Sequence, residues 1–237
     1  MKNNGGVDFH SHILPGMDDG SRDAVESLEM LRASAAYGVD TMVATSHYYA
    51  RRETPEEFLT RRARALETLE AVRTPDLPRI VPAAEVCFFA GMSRDPALDR
   101  LCIGKSRYLL LELPFEPWSR SVLQEVGNLV HVRGITPILA HIERYLKLQR
   151  GTGRLEELLS YDVLVQMNAE FINSMWMGGK ALRMLGRGEV QLLGSDCHNM
   201  ADRRPNLGAA RAAVARRLGG GVLDEIDALG RHILETA

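Results

Sequence analysis

The sequence predicts an α/β fold in which seven parallel strands and the helices between them form a barrel. Short apolar runs alternate along the chain with longer runs of helical periodicity. Apolar strands with helices between them are typical of a parallel sheet, and seven such units favour a barrel over an open sheet. With 237 residues and 45% hydrophobic content, the chain suits one domain spanning residues 1–237.

The first strand is predicted from the opening run VDFH. Val7 and Phe9 alternate there with Asp8 and His10, which is the period of two expected of a strand. His10 and His12 therefore share one face of this strand. The sequence LPG that follows is typical of a turn.

A helix and a second strand are predicted next. Ser21 is the expected N-cap of the helix, which ends near Gly38. The apolar face of this helix comprises Val25, Leu28, Leu31 and Ala35. The run TMVATSH, at 41–47, is predicted to be a buried strand.

The second helix is predicted to begin after Thr54, with Thr54 as its cap and Pro55 in the first helical position. The later elements follow from the same alternation. Strands are predicted at about 80–85, 107–112, 136–141, 163–170 and 190–198, and helices at about 119–132, at 177–188 and in two C-terminal segments.

Imidazoles and carboxylates recur at the C-terminal ends of the predicted strands. In a parallel barrel those ends form one rim, from which active sites are built. A lone histidine at a strand end is more often a hydrogen-bonded core residue, but burying the whole set without a metal would be costly. The candidate ligands are His10, His12, Asp19, His47, Glu85, Glu112, His141, Asp196 and His198.

This set of side chains suits a catalytic site for divalent ions. Imidazole and carboxylate ligands fit Mn²⁺, Fe²⁺ or Zn²⁺, whereas a structural zinc site is usually rich in cysteine. Nine candidates exceed what one ion needs, so two or three ions are implied, with Glu85 as a bridge. Clustered ions activate water and neutralise a phosphoryl group under attack, a design that recurs in phosphate-ester hydrolysis.

Composition excludes several other classes of function. A net charge of -2 gives no electrostatic basis for binding nucleic acid or an anionic membrane. No run approaches the roughly 18 apolar residues that span a bilayer, and no signal-peptide core is present, so a cytoplasmic protein is expected. Three cysteines without CxxC spacing are expected to be reduced thiols.

A cysteine-dependent phosphatase is the rival interpretation. The run CHNMADR, from Cys197 to Arg203, has the CxxxxxR spacing of a loop in which a thiolate attacks phosphate. That loop needs glycines to turn its N–H groups towards the phosphate, and HNMAD has none. The period of two also turns Cys197 away from the face that Asp196 and His198 share.

Four aromatic residues near the predicted rim are open to two interpretations. Tyr48 and Tyr49 follow His47 and either line a substrate pocket or pack in a loop. Trp118 and Trp176 follow strand-end segments and are candidates for the walls of the site.

The runs FHSHILPGMDDG, VATSH, PAAEV, LLLELPF, LAHIERY and GSDCHN resemble the successive motifs of the polymerase and histidinol phosphatase (PHP) superfamily. The similarity is greatest to its bacterial protein tyrosine phosphatases of capsular and exopolysaccharide operons. The resemblance implies a distorted seven-stranded (β/α) barrel with a trinuclear, usually manganese-dependent site.

The resemblance also implies a division of the ligands among three ions. The first ion would be held by His10, His12, Glu85 and Asp196. The second would be held by Glu85, Glu112 and His141. The third would be held by Asp19, His47 and His198, and Asp18 would be a neighbour whose substitution has a mild effect.

Two arginines match the family residues that hold the substrate phosphate. They are Arg144 in HIERY and Arg203, five residues after His198. The family usually has HPERY, so Ile142 stands where a proline is expected.

The function implied is hydrolysis of phosphotyrosine in a protein tail, with a bacterial tyrosine kinase as the expected partner. A small-molecule phosphatase, such as a histidinol-phosphate phosphatase, is an alternative enzyme. A metal-bound accessory protein of a polysaccharide assembly machine is the alternative outside enzymes, although a scaffold has no need of nine ligands.

Chelation of divalent ions is expected to abolish phosphatase activity, and added Mn²⁺ is expected to restore it, because the predicted ligands would hold the reactive centre. Cys197→Ser is expected to retain most of the activity. Hydrolysis of p-nitrophenyl phosphate measures both effects. Activity that survives chelation but is lost in Cys197→Ser would instead support thiolate chemistry.

Overall fold

The protein is described by a computed structural model that covers residues 5–236. Its strands pair in parallel throughout and form two sheets. The smaller sheet has the order β1 (Gly6–Ser11), β2 (Val39–Ala44), β4 (Arg79–Pro82). The larger has the order β3 (His47–Tyr48), β5 (Glu85–Cys87), β6 (Tyr108–Glu112), β7 (Thr136–Leu139), β8 (Leu164–Asn168), β9 (Leu192–Gly194).

α-Helices connect most of the strands, as the alternation of patterns predicts, but none lies between β2 and β3, between β4 and β5, or between β5 and β6. The helices are α1 (Ala24–Ala36), α2 (Pro55–Glu70), α3 (Arg120–His131), α4 (Arg154–Leu159), α5 (Ala169–Asn173), α6 (Gly178–Gly186), α7 (Leu207–Leu218) and α8 (Gly221–Glu235). The short helices α4 and α5 were not predicted. None of the helices between residues 5 and 236 combines the length and apolar character needed to cross a membrane.

The second and third predicted strands are each divided in two. β2 ends before Thr45, whose hydroxyl exchanges hydrogen bonds with the backbone of Ser11, at 3.1 and 3.2 Å. The chain resumes as β3 at His47, and β4 likewise gives way to β5 at Glu85. His47 and Glu85 therefore begin short strands rather than ending long ones, so that part of the prediction is wrong. These interruptions move both residues from the smaller sheet into the larger one.

The first strand also contacts the segment that follows the last strand. The backbone N–H of Asp196 donates to the carbonyl of His10 at 2.7 Å, and that of His12 donates to the carbonyl of Cys197 at 2.9 Å. Gly194 permits this approach, since a Cβ there would lie 2.5 Å from the Cβ of His10. The end of β1 is thereby hydrogen-bonded to the segment that follows β9.

The helix caps are predicted correctly in one case and wrongly in the other. Thr54 and Glu57 form a capping box, and Pro55 is the first residue of α2, as predicted. The cap of α1 is Asp23 rather than Ser21, since the Asp23 side chain accepts from the first-turn N–H groups. Val25, predicted on the apolar face, is 67% exposed because the buried face of α1 is the one that carries Ser27, Met30 and Ser34.

Gly194→Ala is expected to destabilise the fold by about 1–3 kcal/mol or more, because the new methyl group meets backbone and side-chain atoms of His10 and cannot be accommodated. Urea unfolding followed by circular dichroism measures the change. Gly179→Ala in α6 is the matched control. A Cβ added at Gly179 would lie 3.7 Å from its nearest neighbour, the Arg183 side chain, and alanine favours a helix. Equal stability of the two variants would contradict this account of the β1–β9 contact.

Candidate metal centre

β1 supplies His10, and His12 follows directly after the strand ends at Ser11. Both histidines are fully buried, and their outer nitrogens are already hydrogen-bonded. His10 Nδ1 donates to Gln166 Oε1 at 3.2 Å, and His12 Nδ1 donates to Asp18 Oδ2 at 2.8 Å. When such a ring is neutral, this contact keeps its proton on Nδ1, so that Nε2 can present a lone pair to a metal ion. The two Nε2 atoms lie 3.2 Å apart, as expected of residues on one strand face.

Two carboxylate oxygens lie close to the Nε2 atoms of both histidines. Glu85 Oε2 lies 3.1 Å from His10 Nε2 and 3.4 Å from His12 Nε2. Asp196 Oδ1 lies 3.4 Å from each of the same two nitrogens. Ligand atoms held about 2.1 Å from a tetrahedral ion lie about 3.4 Å apart, so the spacing of the His10, His12 and Glu85 atoms fits a single divalent ion, with Asp196 close to both histidines.

The two oxygens of Glu85 face different histidines. Glu85 Oε1 lies 3.0 Å from His141 Nε2, which is also 3.4 Å from Glu112 Oε1. Glu85 Oε2 lies 3.0 Å from His47 Nδ1, in addition to its contacts with His10 and His12. Both Glu85 Oε2 and His47 Nδ1 are buried without a hydrogen bond of acceptable geometry. A carboxylate in this position can bridge two ions.

A third group of ligand atoms lies at the solvent side of the cluster. Asp19 Oδ1 is 3.6 Å from His47 Nε2 and 3.5 Å from His198 Nε2. His198 Nδ1 lies 3.0 Å from the carbonyl of Asp196, which keeps the ring proton away from Nε2. The Asp19 side chain is 67% exposed, so this group opens outwards. His47 contacts both this group and Glu85, and thus lies between them.

Asp18, expected to be a neighbour of little effect, is tied to the cluster by three hydrogen bonds. Its carboxylate accepts from His12 Nδ1 at 2.8 Å, from the His47 backbone at 2.8 Å and from the Gly20 backbone at 3.0 Å. Burial alone would raise the pKa of Asp18, but these bonds and the charge of His12 hold it well below its usual range. Asp18 therefore orients two of the candidate ligands.

Asp196 is held by three donors on the oxygen that faces away from the histidines. Its Oδ2 accepts hydrogen bonds from Arg144 at 2.7 Å and from Asn168 at 2.8 Å, and it forms an ion pair with Arg203 at 2.8 Å. Each arginine side chain is 38% exposed, so both guanidinium groups also reach the open side of the site. The two arginines singled out in the sequence thus meet at one candidate ligand.

Two candidate ligands have strained backbone conformations. His141 has φ of 36° and Asp196 has φ of 53°, and they are the residues other than glycine with positive φ in the described part of the chain. Such conformations cost roughly 1–3 kcal/mol and persist where surrounding contacts impose them. Arg144 follows His141 in a 3₁₀ turn that contains buried Ile142, so the turn with isoleucine still brings Arg144 to Asp196.

The carboxylates and His198 have the charges that suit metal binding, whereas an ion would have to displace protons from three other rings. Burial would lower the pKa of His12, His47 and His141, but the neighbouring carboxylates raise it, to about 9 in His141. Burial would raise the pKa of Glu85 and of Asp196, but the neighbouring His10 holds both well below their usual range. Burial, together with His12 and Arg203, lowers the pKa of His198 to about 4, so its ring is neutral at pH 7. A neutral imidazole and ionised carboxylates are the forms that bind a metal ion.

Cys197 is buried in the apolar core and offers no nucleophile. It is 0% exposed and packs in the main core cluster, away from the histidines. Burial raises the pKa of its thiol far above neutral pH. The arrangement therefore does not support the cysteine-dependent interpretation.

The aromatic candidates separate into core and rim residues. Tyr48 and Trp118 are buried, whereas Trp176 is 88% exposed. Tyr49 lines a groove of about 980 Å³ beside Asp19 and His47. The sequence analysis missed Phe115, which is 50% exposed and whose ring stacks on His141 with centroids 5.7 Å apart.

Gln166 and Asn168 were also missed. Gln166 accepts from the His141 backbone at 2.7 Å as well as from His10, and donates to Asn168 at 2.9 Å. Both residues lie on β8, where the alternation that points His10 and His12 inwards also points this pair to one face. That alternation is the signal by which they could have been found.

The fold and this cluster define a class of parallel α/β protein with a candidate site for several metal ions at the carboxyl ends of its strands. Residues 6–230 match the family described as "Capsular polysaccharide synthesis, CpsB/CapC". The chain belongs to the CpsB/CapC family.

Individual relatives agree with this assignment. The tyrosine-protein phosphatase CpsB of Streptococcus pneumoniae is 31% identical over 231 residues, covering 90% of this chain and 91% of the relative. The tyrosine-protein phosphatase YwqE of Bacillus subtilis is 28% identical over 202 residues, covering 83% of this chain and 79% of the relative.

A solved structure shows the same fold. It comes from a study of YwqE from Bacillus subtilis and CpsB from Streptococcus pneumoniae, proteins described there as metal-dependent tyrosine phosphatases. It superimposes with a TM-score of 0.84 at 24% identity, covering 97% of this chain and 94% of the other. The α/β architecture with parallel sheets is therefore shared.

Asp18→Ala is expected to lower metal affinity about 10- to 100-fold, because His12 loses the carboxylate that fixes its ring. Asp19→Ala is expected to lose one ion preferentially, and His12→Ala to lower metal content and activity together. Elemental analysis and calorimetric titration with Mn²⁺ measure these effects. Asp202→Ala, at an exposed acid in the loop after His198, is the matched control. An Asp18→Ala protein that binds metal like this control would contradict the role of Asp18.

Proposed function

We propose that this chain is a metal-dependent protein tyrosine phosphatase. The observation that carries the proposal is the meeting of Arg144 and Arg203 at Asp196, beside a cluster of imidazoles and carboxylates. Guanidinium groups are suited to phosphate oxygens, and the cluster is suited to divalent ions. The names of the CpsB and YwqE relatives support the same reaction.

We further propose that the cluster holds three ions, with manganese the preferred metal. The first ligand set is His10, His12, Glu85 and Asp196; the second is Glu85, Glu112 and His141; the third is Asp19, His47 and His198. The spacing of the first four ligand atoms and the two-sided contacts of Glu85 support this division. When bound, such ions activate water and neutralise phosphoryl charge.

In this proposal the residues of the chain divide the work of binding and orientation. Arg144 and Arg203 hold the non-bridging oxygens of the phosphate, each with two N–H donors in one plane. Phe115 lies against His141 and Tyr49 lies against His47, and the phenyl ring of the substrate is proposed to contact these two side chains. A phenolate leaving group with a pKa of about 10 needs less help from an acid than an alkoxide does.

We also propose a cytoplasmic location, a tyrosine kinase of capsule or exopolysaccharide synthesis as the partner, and one domain over residues 1–237. The two sheets are proposed to make one distorted seven-stranded barrel. The hydrogen bonds between β1 and residues 196–197 support closure, since they join the edge strand of the smaller sheet to the segment after β9.

The test compares three substrates in the presence of Mn²⁺. Turnover of p-nitrophenyl phosphate separates an enzyme from a metal-bound accessory protein. Values of kcat/KM for a phosphotyrosine peptide and for histidinol phosphate then separate a protein phosphatase from a small-molecule phosphatase. A higher value for histidinol phosphate, or no turnover of any substrate, would overturn the proposal.

Arg203→Lys is expected to keep its full metal content, because Arg144 and Asn168 still donate to Asp196. Its kcat/KM is expected to fall roughly ten- to a thousand-fold, since a lysine offers a point charge in place of a planar fork. Steady-state kinetics with a phosphotyrosine peptide and elemental analysis measure the two effects.

Arg204→Lys is the control for this experiment. Arg204 is exposed, and its Nε donates to the carbonyl of Ala201 at 2.9 Å. Its variant should therefore behave like the parent. If Arg204→Lys is the impaired protein and Arg203→Lys is not, the assigned arginine is wrong.

A further inference from the structure

A pocket of about 460 Å³ lies on the rim beside Arg144. One wall comes from the turn after His141, with Leu146, Lys147 and Arg150, and the other from the start of α6, with Met177 and Lys180. We call this the basic rim pocket. The metal cluster and the phosphate arginines do not use any of these five lining residues.

The basic rim pocket carries an excess of positive charge. Lys147, Arg150 and Lys180 form no ion pair with a carboxylate of residues 5–236, whereas nearby Arg154 is paired with Glu157 at 2.9 Å. The pocket contains one acid, Glu143, so its formal charge is at least +2. The carboxylate of Glu143 is occupied inside the protein, where it accepts from the Asn168 backbone at 3.3 Å.

Next to this charge lies a group of exposed apolar side chains. Met175 is 90% exposed, Trp176 is 88% exposed and Met177 is 40% exposed, all in the link between α5 and α6. Adjacent exposed tryptophan and methionine side chains are typical of a binding surface. Trp176, a candidate wall of the site in the sequence, thus lies at the edge of the basic rim pocket.

The pocket adjoins the proposed active site through neighbouring residues of the chain. Arg144 and Lys147 belong to the same short turn, and the Arg144 guanidinium contacts Asp196 at 2.7 Å. α5 follows directly from Asn168, which also contacts Asp196 at 2.8 Å. A chain whose phosphotyrosine is held by Arg144 would therefore extend past the basic rim pocket.

We infer that the basic rim pocket, with Met175 and Trp176, binds the acidic segment that flanks the phosphotyrosine of the substrate protein. This inference rests on the proposed function and adds a sequence preference to it. Acidic side chains complement Lys147, Arg150 and Lys180, and an apolar residue of the same segment packs on the exposed methionine and tryptophan.

A membrane surface is a poorer partner for this pocket. Across the cluster, the larger groove carries the acids Asp19 and Glu57, together with Glu53 and Glu56, which are paired with Arg61 and Arg100. A flat anionic bilayer laid on the rim would meet these acids as well. A peptide is narrow enough to follow one side of the rim only.

The test measures kcat/KM for two phosphotyrosine peptides that differ only in flanking residues, aspartates in one and lysines in the other. At low ionic strength, we expect the parent protein to favour the aspartate peptide by about ten-fold or more, and salt to reduce this preference. Lys147→Glu and Lys180→Glu should each abolish or reverse the preference, mainly through KM.

Two controls separate this inference from the proposed function. Hydrolysis of p-nitrophenyl phosphate should be unchanged in both variants, since it needs the metal cluster but no flanking residues; its absence from the parent would contradict the proposed function itself. Lys105→Glu, at an exposed lysine before β6 and hence at the other end of the strands, should retain the parent's preference.

Three results would overturn the inference. One is a parent that hydrolyses both peptides equally well. Another is a preference that Lys105→Glu lowers as much as Lys180→Glu does. The third is a parent protein that shows no peptide preference but co-sediments with phosphatidylglycerol vesicles, while Lys180→Glu does not co-sediment. That result would make the pocket a membrane site.

Discussion

The burial of many polar side chains at one end of the strands is the constraint on which the rest of this structure depends. Imidazoles and carboxylates removed from water must each find a partner, or the folded state loses several kcal/mol per group. Gln166, Asn168 and Asp18 supply those partners on the outer side of the cluster. The inner side, around Glu85, keeps buried atoms without hydrogen bonds. The cluster is thus rigid at its edge and chemically available at its centre.

The same constraint explains the irregular parts of the fold. Uninterrupted strands would keep His47 and Glu85 in the smaller sheet. The breaks after β2 and β4 place both residues in the larger sheet instead, next to the other candidate ligands. The positive φ values of His141 and Asp196 likewise turn side chains towards the centre. Strain at these positions is offset by hydrogen bonds to the neighbouring strands.

Sequence periodicity was sufficient for features that depend on neighbouring residues. The shared face of His10 and His12 and the capping box at Thr54 follow from local spacing, and both are present. The alternation along β8 places Gln166 and Asn168 on one face, but it does not identify the partner of Gln166, which is His10, 156 positions away. The paired acids Asp18 and Asp19 show the same limit, because their different partners depend on how the turn folds back over β1.

The candidate ligands extend along the chain from His10 to His198. The contact between His10 and Asp196 joins the first of these ligands to one of the last. A contact of such long sequence separation forms late, because most of the chain must be ordered first. An ion held by His10 and Asp196 together therefore stabilises, by mass action, the fold that brings these two residues into contact. Loading of that ion would report that the chain has been made and folded as far as Asp196, since a chain interrupted before β9 keeps the set of Glu85, Glu112 and His141 but lacks Asp196 and His198.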